Sequence, residues 1–255
     1  MERFILIRSA LLGMFVVMLF SSCRNTDKSV TTQEIVDKAI QVAGGDLYEQ
    51  SEFSFSFRDV EYVLERKAGK KVMKRIKQTD SGLLSDIRTG NDFSRTLEGN
   101  TIRVSDSMAN VYSNSINSVH YFAYLPYGLN DAAVNKEWIG EKKIGDKVYH
   151  KIKVTFDQQG GGEDFEDVYL YWIDKETFTP DYLAYEFHVD GGGLRFREAY
   201  NQRYVNGIRF VDYRNYKPKE DADIMELDDL FLEDRLELLS DIKLQDVRVS
   251  RDNYN

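Results

Sequence analysis

The chain has 255 residues, 42% of them hydrophobic, with a formal net charge of −9 and a pI near 5.0. That acidic balance excludes a nucleic-acid binder, whose phosphate contacts demand clustered Lys and Arg. A single Cys excludes a disulfide framework, and a chain of this length buries roughly 70% of its unfolded surface without covalent staples.

Residues 1–22 have the layout of a secretory signal: Arg3 and Arg8, an apolar run over 9–20, then Ser21 and Ser22. About a dozen apolar residues fall short of the roughly 20 that a spanning helix needs. Apolar residues on every face also argue against a packed amphipathic helix. The only Cys, Cys23, follows the small pair directly. Leu19-Phe20-Ser21-Ser22-Cys23 resembles the lipobox of bacterial lipoproteins, with Phe20 where Leu is more usual. The resemblance implies lipidation of Cys23, which becomes the mature N-terminus, and a membrane contact through that N-terminal anchor. An ordinary secreted protein is the alternative. Residues 23–30 form a short polar tether, and with only three Pro and no linker-like stretch, 31–255 read as one domain.

Thr31-Thr32-Gln33-Glu34 is a capping box, and Ile35, Val36, Ala39, Ile40 and Ala43 make an apolar stripe at helical spacing, closed by Gly44-Gly45. The period then changes to two, with Phe53, Phe55 and Phe57 facing one way and Ser54, Ser56 and Arg58 the other. Turn signals recur at 68–69, 90–91, 99–100, 145–146, 160–162, 174–175, 191–193 and 206–207, which predicts an antiparallel meander. The basic run at 67–77, KAGKKVMKRIK, reads as a solvated hairpin in preference to an anionic-lipid contact. Helical segments are predicted over 105–129, before Pro126-Tyr127-Gly128, and a late Leu-rich helix over 224–240. Ile242, Leu244, Val247 and Val249 are expected in a last strand.

Within the meander, 147–156 alternates Val148, His150, Ile152, Val154 and Phe156 on a core face with Tyr149, Lys151, Lys153 and Thr155 on a wet one. The stretch 167–173, DVYLYWI, is apolar or aromatic on both faces and so must be covered twice. Leu183, Tyr185, Phe187 and Val189 share a face of the next strand, and Phe210 and Tyr213 follow on another. Sixteen Tyr and fifteen Phe suit the half-wet wall of a lined cavity, since a Tyr ring packs while its hydroxyl meets water. They suit equally a filled core with Tyr on the outer face.

Trp138-Ile139-Gly140-Glu141 through Gly145, Val148 and Phe156, then Tyr169-Leu170-Tyr171-Trp172-Ile173-Asp174 and on to Thr177, resembles the middle strands of the LolA/LolB-like lipoprotein carriers. More narrowly, the chain resembles Bacteroidota lipoproteins of that type. The likeness spans roughly 31–250 and rests on strand patterns and turns. It implies an α+β fold: a strongly curved antiparallel sheet, an incomplete β-barrel, with helices packed on the concave side around an apolar cavity. It also implies a non-catalytic protein without cofactor that carries a lipid or other hydrophobic small molecule. Arg24-Asn25-Thr26-Asp27 lacks the acidic run that resembles a surface-export tag in that phylum, so a lipid-anchored position in the bacterial envelope, facing the periplasm, is expected.

The expected cavity residues, chosen as strand-face positions, are Phe55, Phe57, Tyr62, Leu64, Trp138, His150, Ile152, Val154, Trp172, Tyr185 and Phe187. No metal is expected: His120, His150 and His188 show no ligand spacing, and the acids of 163–167 are consecutive where a calcium loop alternates. Gly191-Gly192-Gly193 lacks the strand-to-helix setting of a dinucleotide loop, and no GxSxG elbow occurs. Asp106-Ser107-Met108 resembles an O-glycosylation tripeptide, with Ser107 the acceptor. A non-catalytic structural lipoprotein with a filled core, docking an envelope protein partner, is the alternative to the carrier. A hydrolase using unrecognised carboxylates is a third reading.

Overall fold

A capping box opens the first helix, α1 (Thr32–Ala43): the Thr31 hydroxyl accepts from the Glu34 N–H while the Glu34 carboxylate accepts from the Thr31 N–H. The computed structural model describes residues 30–159, 165–188 and 191–251. The signal segment 1–22, Cys23 and the tether before Val30 lie outside the described residues, as do 160–164 of the acidic loop and Val189. Helix α1 ends at Gly44, φ 137°, where an added Cβ would stand 3.1 Å from the Ile208 side chain and 3.3 Å from the Gly207 carbonyl.

Two seven-stranded antiparallel sheets follow, and they are not closed into a barrel. The first contains β1 (Ser51–Phe57), β2 (Val60–Lys67), β3 (Lys70–Thr79), β4 (Gly82–Thr89), β5 (Asp92–Leu97) and β6 (Asn100–Ile102) in chain order. The second runs through β7 (Val134–Ile144), β8 (Lys147–Phe156), β9 (Val168–Asp174), β10 (Pro180–Phe187), β11 (Gly193–Val205), β12 (Ile208–Pro218) and β13 (Leu236–Ile242). The final strand, β14 (Gln245–Arg251), returns to the first sheet and pairs with β1, setting Val249 opposite Phe53. Between the sheets stands α2 (Asp106–Ala123), capped by Ser105 and followed by a 3-10 turn, Tyr127–Asn130.

Strand β9 is covered on both faces. On one, Tyr169, Tyr171 and Ile173 join Ile152, Val154, Leu183, Val211 and Tyr213 beneath Ile35, Val36 and Ala39 of α1 and Leu125 and Leu129. On the other, Leu170 and Trp172 join Tyr149, Ala184 and Phe196 beneath a 3-10 turn, Ile224–Glu226, and the short helix α3 (Leu227–Leu232). The helices therefore do not share one side of the sheet. The supposedly wet face of β8 is covered too: Tyr149 is buried, and Lys151 donates to Asp228 at 2.9 Å and to the Met225 carbonyl at 2.8 Å.

Two other expectations change. The late helix is short, and 236–242 is strand β13. The stop is a Schellman motif: Asp234 sits at φ 55° while the Arg235 N–H donates to the Leu230 carbonyl and the Asp234 N–H to that of Phe231. The last strand is two strands. At Lys243 and Leu244 the chain crosses between sheets, pinned where the buried Asp212 accepts from the Leu244 N–H and from Arg203. The basic run at 67–77 forms the β2–β3 hairpin, with Lys67 and Lys74 on Glu65, Lys71 near Glu49 and Arg75 on Asp86.

Candidate functional site

A cavity of about 340 Å³ opens between α2 and the second sheet, beside the point where the chain changes sheets. Ser118, Val119, Phe122 and Ala123 on the last turns of α2 form one wall. The floor is the inner face of β9 to β12: Tyr169, Tyr185, Arg195, Arg197, Val211 and Tyr213. Phe57 from β1, Phe187 and Asp167 at the strand ends, and Ile242 and Leu244 at the crossover complete it.

Strand register explains the grouping. Tyr169 pairs with Tyr185 and Tyr185 with Arg195, so antiparallel pairing aligns alternate side chains of neighbouring strands on one face. The Tyr169 and Tyr185 rings stack at 5.5 Å, and the Phe122 ring lies 5.2 Å from Tyr185. Helix α2 is held over this floor at its C-terminal end, where the Tyr121 and Tyr171 hydroxyls bond at 2.9 Å. Toward its N-terminus, α2 rests on the first sheet: the buried Asp86 accepts from Arg75 at 3.1 Å and Arg95 at 2.6 Å, with the Tyr112 ring 3.6 Å from the Arg95 guanidinium.

The cavity is not uniformly apolar. Arg197 is only 8% exposed and lies 3.9 Å from the Phe122 ring; it donates to the Tyr185 hydroxyl at 2.8 Å and to Asn215 Oδ1 at 3.4 Å. Arg195 lies 4.9 Å from the Phe187 ring and donates to the Leu194 carbonyl. Asp167 bonds His188 Nδ1 at 3.2 Å.

Of the residues singled out in the sequence, Phe57, Tyr185 and Phe187 line this cavity. Phe55, Tyr62 and Leu64 are packed around Tyr124, Phe53 and Phe210, where the two sheets and the ends of α1 and α2 converge. Ile152 and Val154 are covered by α1. Trp172 is fully buried on the opposite face, its indole N–H donating to Asp228 at 3.1 Å. Trp138, 47% exposed, sits on β7 beside a bulge at Gly140. His150 is buried next to Phe178, and burial pushes its pKa down. Ser107 is exposed in the first turn of α2.

The sequence reading passed over Arg195 and Arg197. In LRFREAY they alternate with Leu194, Phe196 and Glu198, a pattern that normally assigns the charges to solvent. Here Phe196 faces the α3 side and the arginines face the cavity. Among the described residues, no group of three or more His, Cys, Asp or Glu could hold a metal ion. None of the described helices is long and apolar enough to cross a membrane.

Two open antiparallel sheets with an aromatic-lined cavity under a helix define the class of structure. The chain belongs to the DUF6503 family, a family of unknown function, whose model matches residues 10–246. No curated protein matches it. Similar solved structures include a LolA superfamily protein from Nitrosomonas europaea, 14% identical, covering 87% of this chain and 92% of that one, with a TM-score of 0.46. A DUF1329 family protein from Desulfovibrio piger is 13% identical over 88% of this chain and 94% of its own, with a TM-score of 0.44. The Mycobacterium tuberculosis lipoprotein LppX is 12% identical over 64% of this chain and 91% of its own, with a TM-score of 0.28.

Proposed function

We propose that this protein is a non-catalytic, lipid-anchored carrier of the bacterial envelope, holding a hydrophobic ligand between α2 and the second sheet. Residues 1–22 act as the signal, Cys23 bears the lipid, 23–30 tether the body to the periplasmic side of its membrane, and 31–255 form the binding domain. The two sheets together act as an incomplete barrel, with α1 and α2 on its inner side. The observation that carries the reading is the cavity itself, about 340 Å³ and walled by Phe57, Val119, Phe122, Tyr169, Tyr185 and Phe187. Small-molecule sites run from about 300 to 1,000 Å³, mostly apolar with a few placed polar groups. An acyl chain buried there gains about 0.8 kcal/mol per methylene removed from water, which offsets much of the cost of leaving a bilayer.

Native mass spectrometry of the purified protein, followed by lipid extraction, tests this directly. A co-purifying lipid, or saturable uptake of a neutral apolar dye, is the expected result. A ligand-free protein that also ignores the dye would favour the alternative, a structural lipoprotein that docks an envelope protein. That alternative draws support from α1, Leu125 and Leu129, which fill the inner face of β8 and β9.

A further inference from the structure

The charge in the cavity is left unused by a purely hydrophobic ligand. Among the described residues, the contacts of Arg197 are a phenol, an amide and the rings of Phe122, Tyr185 and Tyr213, and those of Arg195 are a main-chain carbonyl and the Phe187 ring. Neither contact set contains a carboxylate, and Asp167 is engaged by His188. A guanidinium cannot shed its proton in a protein. Buried ionised groups are ordinarily paired, because an uncompensated charge loses several kcal/mol of hydration. Ring faces recover part of that without supplying a counter-charge. A cation held 8% exposed in the wall of a mostly aromatic and aliphatic hollow is thus poised for an anion that arrives with the ligand.

Building on the carrier reading, we infer that the ligand is an anionic amphiphile whose oxyacid head, carboxylate or phosphate, pairs with Arg197. Its hydrocarbon part lies against Val119, Phe122, Tyr169 and Val211. The planar fork of Arg matches either head through two parallel N–H···O bonds. Arg195, on the same face of β11, adds positive potential and no second acid opposes it among the described lining residues except Asp167.

The test compares ligands with one tail and different heads. Displacement of the neutral dye N-phenyl-1-naphthylamine from the full chain carrying Cys23→Ser is titrated with decanoate, decyl phosphate and decanol. One or both anions should displace the dye at concentrations at least tenfold below decanol, although decanol is the more hydrophobic; the stronger anion identifies the head. In Arg197→Gln the anions should lose their advantage over decanol. Decanol binding as tightly as both anions would overturn this inference and leave the carrier standing, whereas no binding of dye or any decyl ligand would end both. An anion preference that survives in Arg197→Gln would overturn the assignment to Arg197. Because Arg197 also braces Tyr185 and Asn215, the variant is checked by thermal melting; if it is unfolded, Arg197→Lys, which loses the planar fork, takes its place, and an anion preference that it leaves undiminished overturns the assignment.

Discussion

His120 shows how a residue's setting fixes its chemistry. Its Nε2–H donates to the Lys74 carbonyl at 3.4 Å, so Nδ1 must accept from the Tyr124 hydroxyl at 3.0 Å. The ring is buried among Phe55, Tyr62 and Tyr124, and burial pushes its pKa down from 6.5 to about 4. A group whose folded pKa is depressed binds fewer protons folded than unfolded. The neutral ring is therefore fully compatible with folding above about pH 6.5, and stability is lost as pH falls from there toward about 4. At pH 5 the loss should be roughly 2 kcal/mol. Urea unfolding at pH 7 and pH 5 should show it, and His120→Gln, which keeps a donor and an acceptor without titrating there, should flatten the difference. An unchanged difference would assign the acid sensitivity elsewhere. A lone His on a helix gives no such signal in sequence, because the sheet that buries it is formed some 50 residues upstream.

At the scale of elements, α3 depends on one carboxylate. Asp228 is buried, accepts from Lys151 at 2.9 Å and the Trp172 indole at 3.1 Å, and lies 3.8 Å from Lys142. Asp228→Ala leaves Lys151 buried without its partner, which should cost about 3–5 kcal/mol in chemical denaturation. Lys151→Met combined with Asp228→Leu should recover much of that, since an apolar pair of similar volume avoids the desolvation of both ions. The end of α3 makes the opposite point. Asp234 occupies the left-handed position where Gly is usual, so Asp234→Gly should raise the free energy of unfolding in urea by up to about 1 kcal/mol. That Asp also hid the helix stop: Leu227, Leu230 and Leu236 continue a helical rhythm across it, and only the main-chain bonds of β13 to β12 make 236–242 extended. Arg58-Asp59, both at positive φ between Phe57 and Val60, turn β1 into β2 without a Gly.

For the whole molecule, the question is how much of the inner face is plugged. Helix α1 fills it over β8 and β9, with Ile35 and Val36 each contributing about 1.5–3 kcal/mol by burial, whereas α2 spans its own stretch and leaves the hollow. Phe122→Trp should therefore abolish dye uptake with little loss of thermal stability, while a structural role predicts no binding to lose. Cys23→Ser should move the protein from the membrane to the soluble fraction of fractionated cells. The elements themselves were legible: the capping box, the shift of period at Phe53, the Asn206-Gly207 turn and the doubly apolar DVYLYWI follow from backbone hydrogen bonding and alternation, which act between near neighbours. What the tertiary structure alone decided is which faces are occupied. Trp172 and Tyr185 read alike in a strand, yet α3 covers one and the other opens onto the cavity; Arg197 reads as a solvent residue and lies inside. Side-chain alternation sorts residues into two faces, but only the packing of distant segments determines whether a face meets a helix, water or empty space.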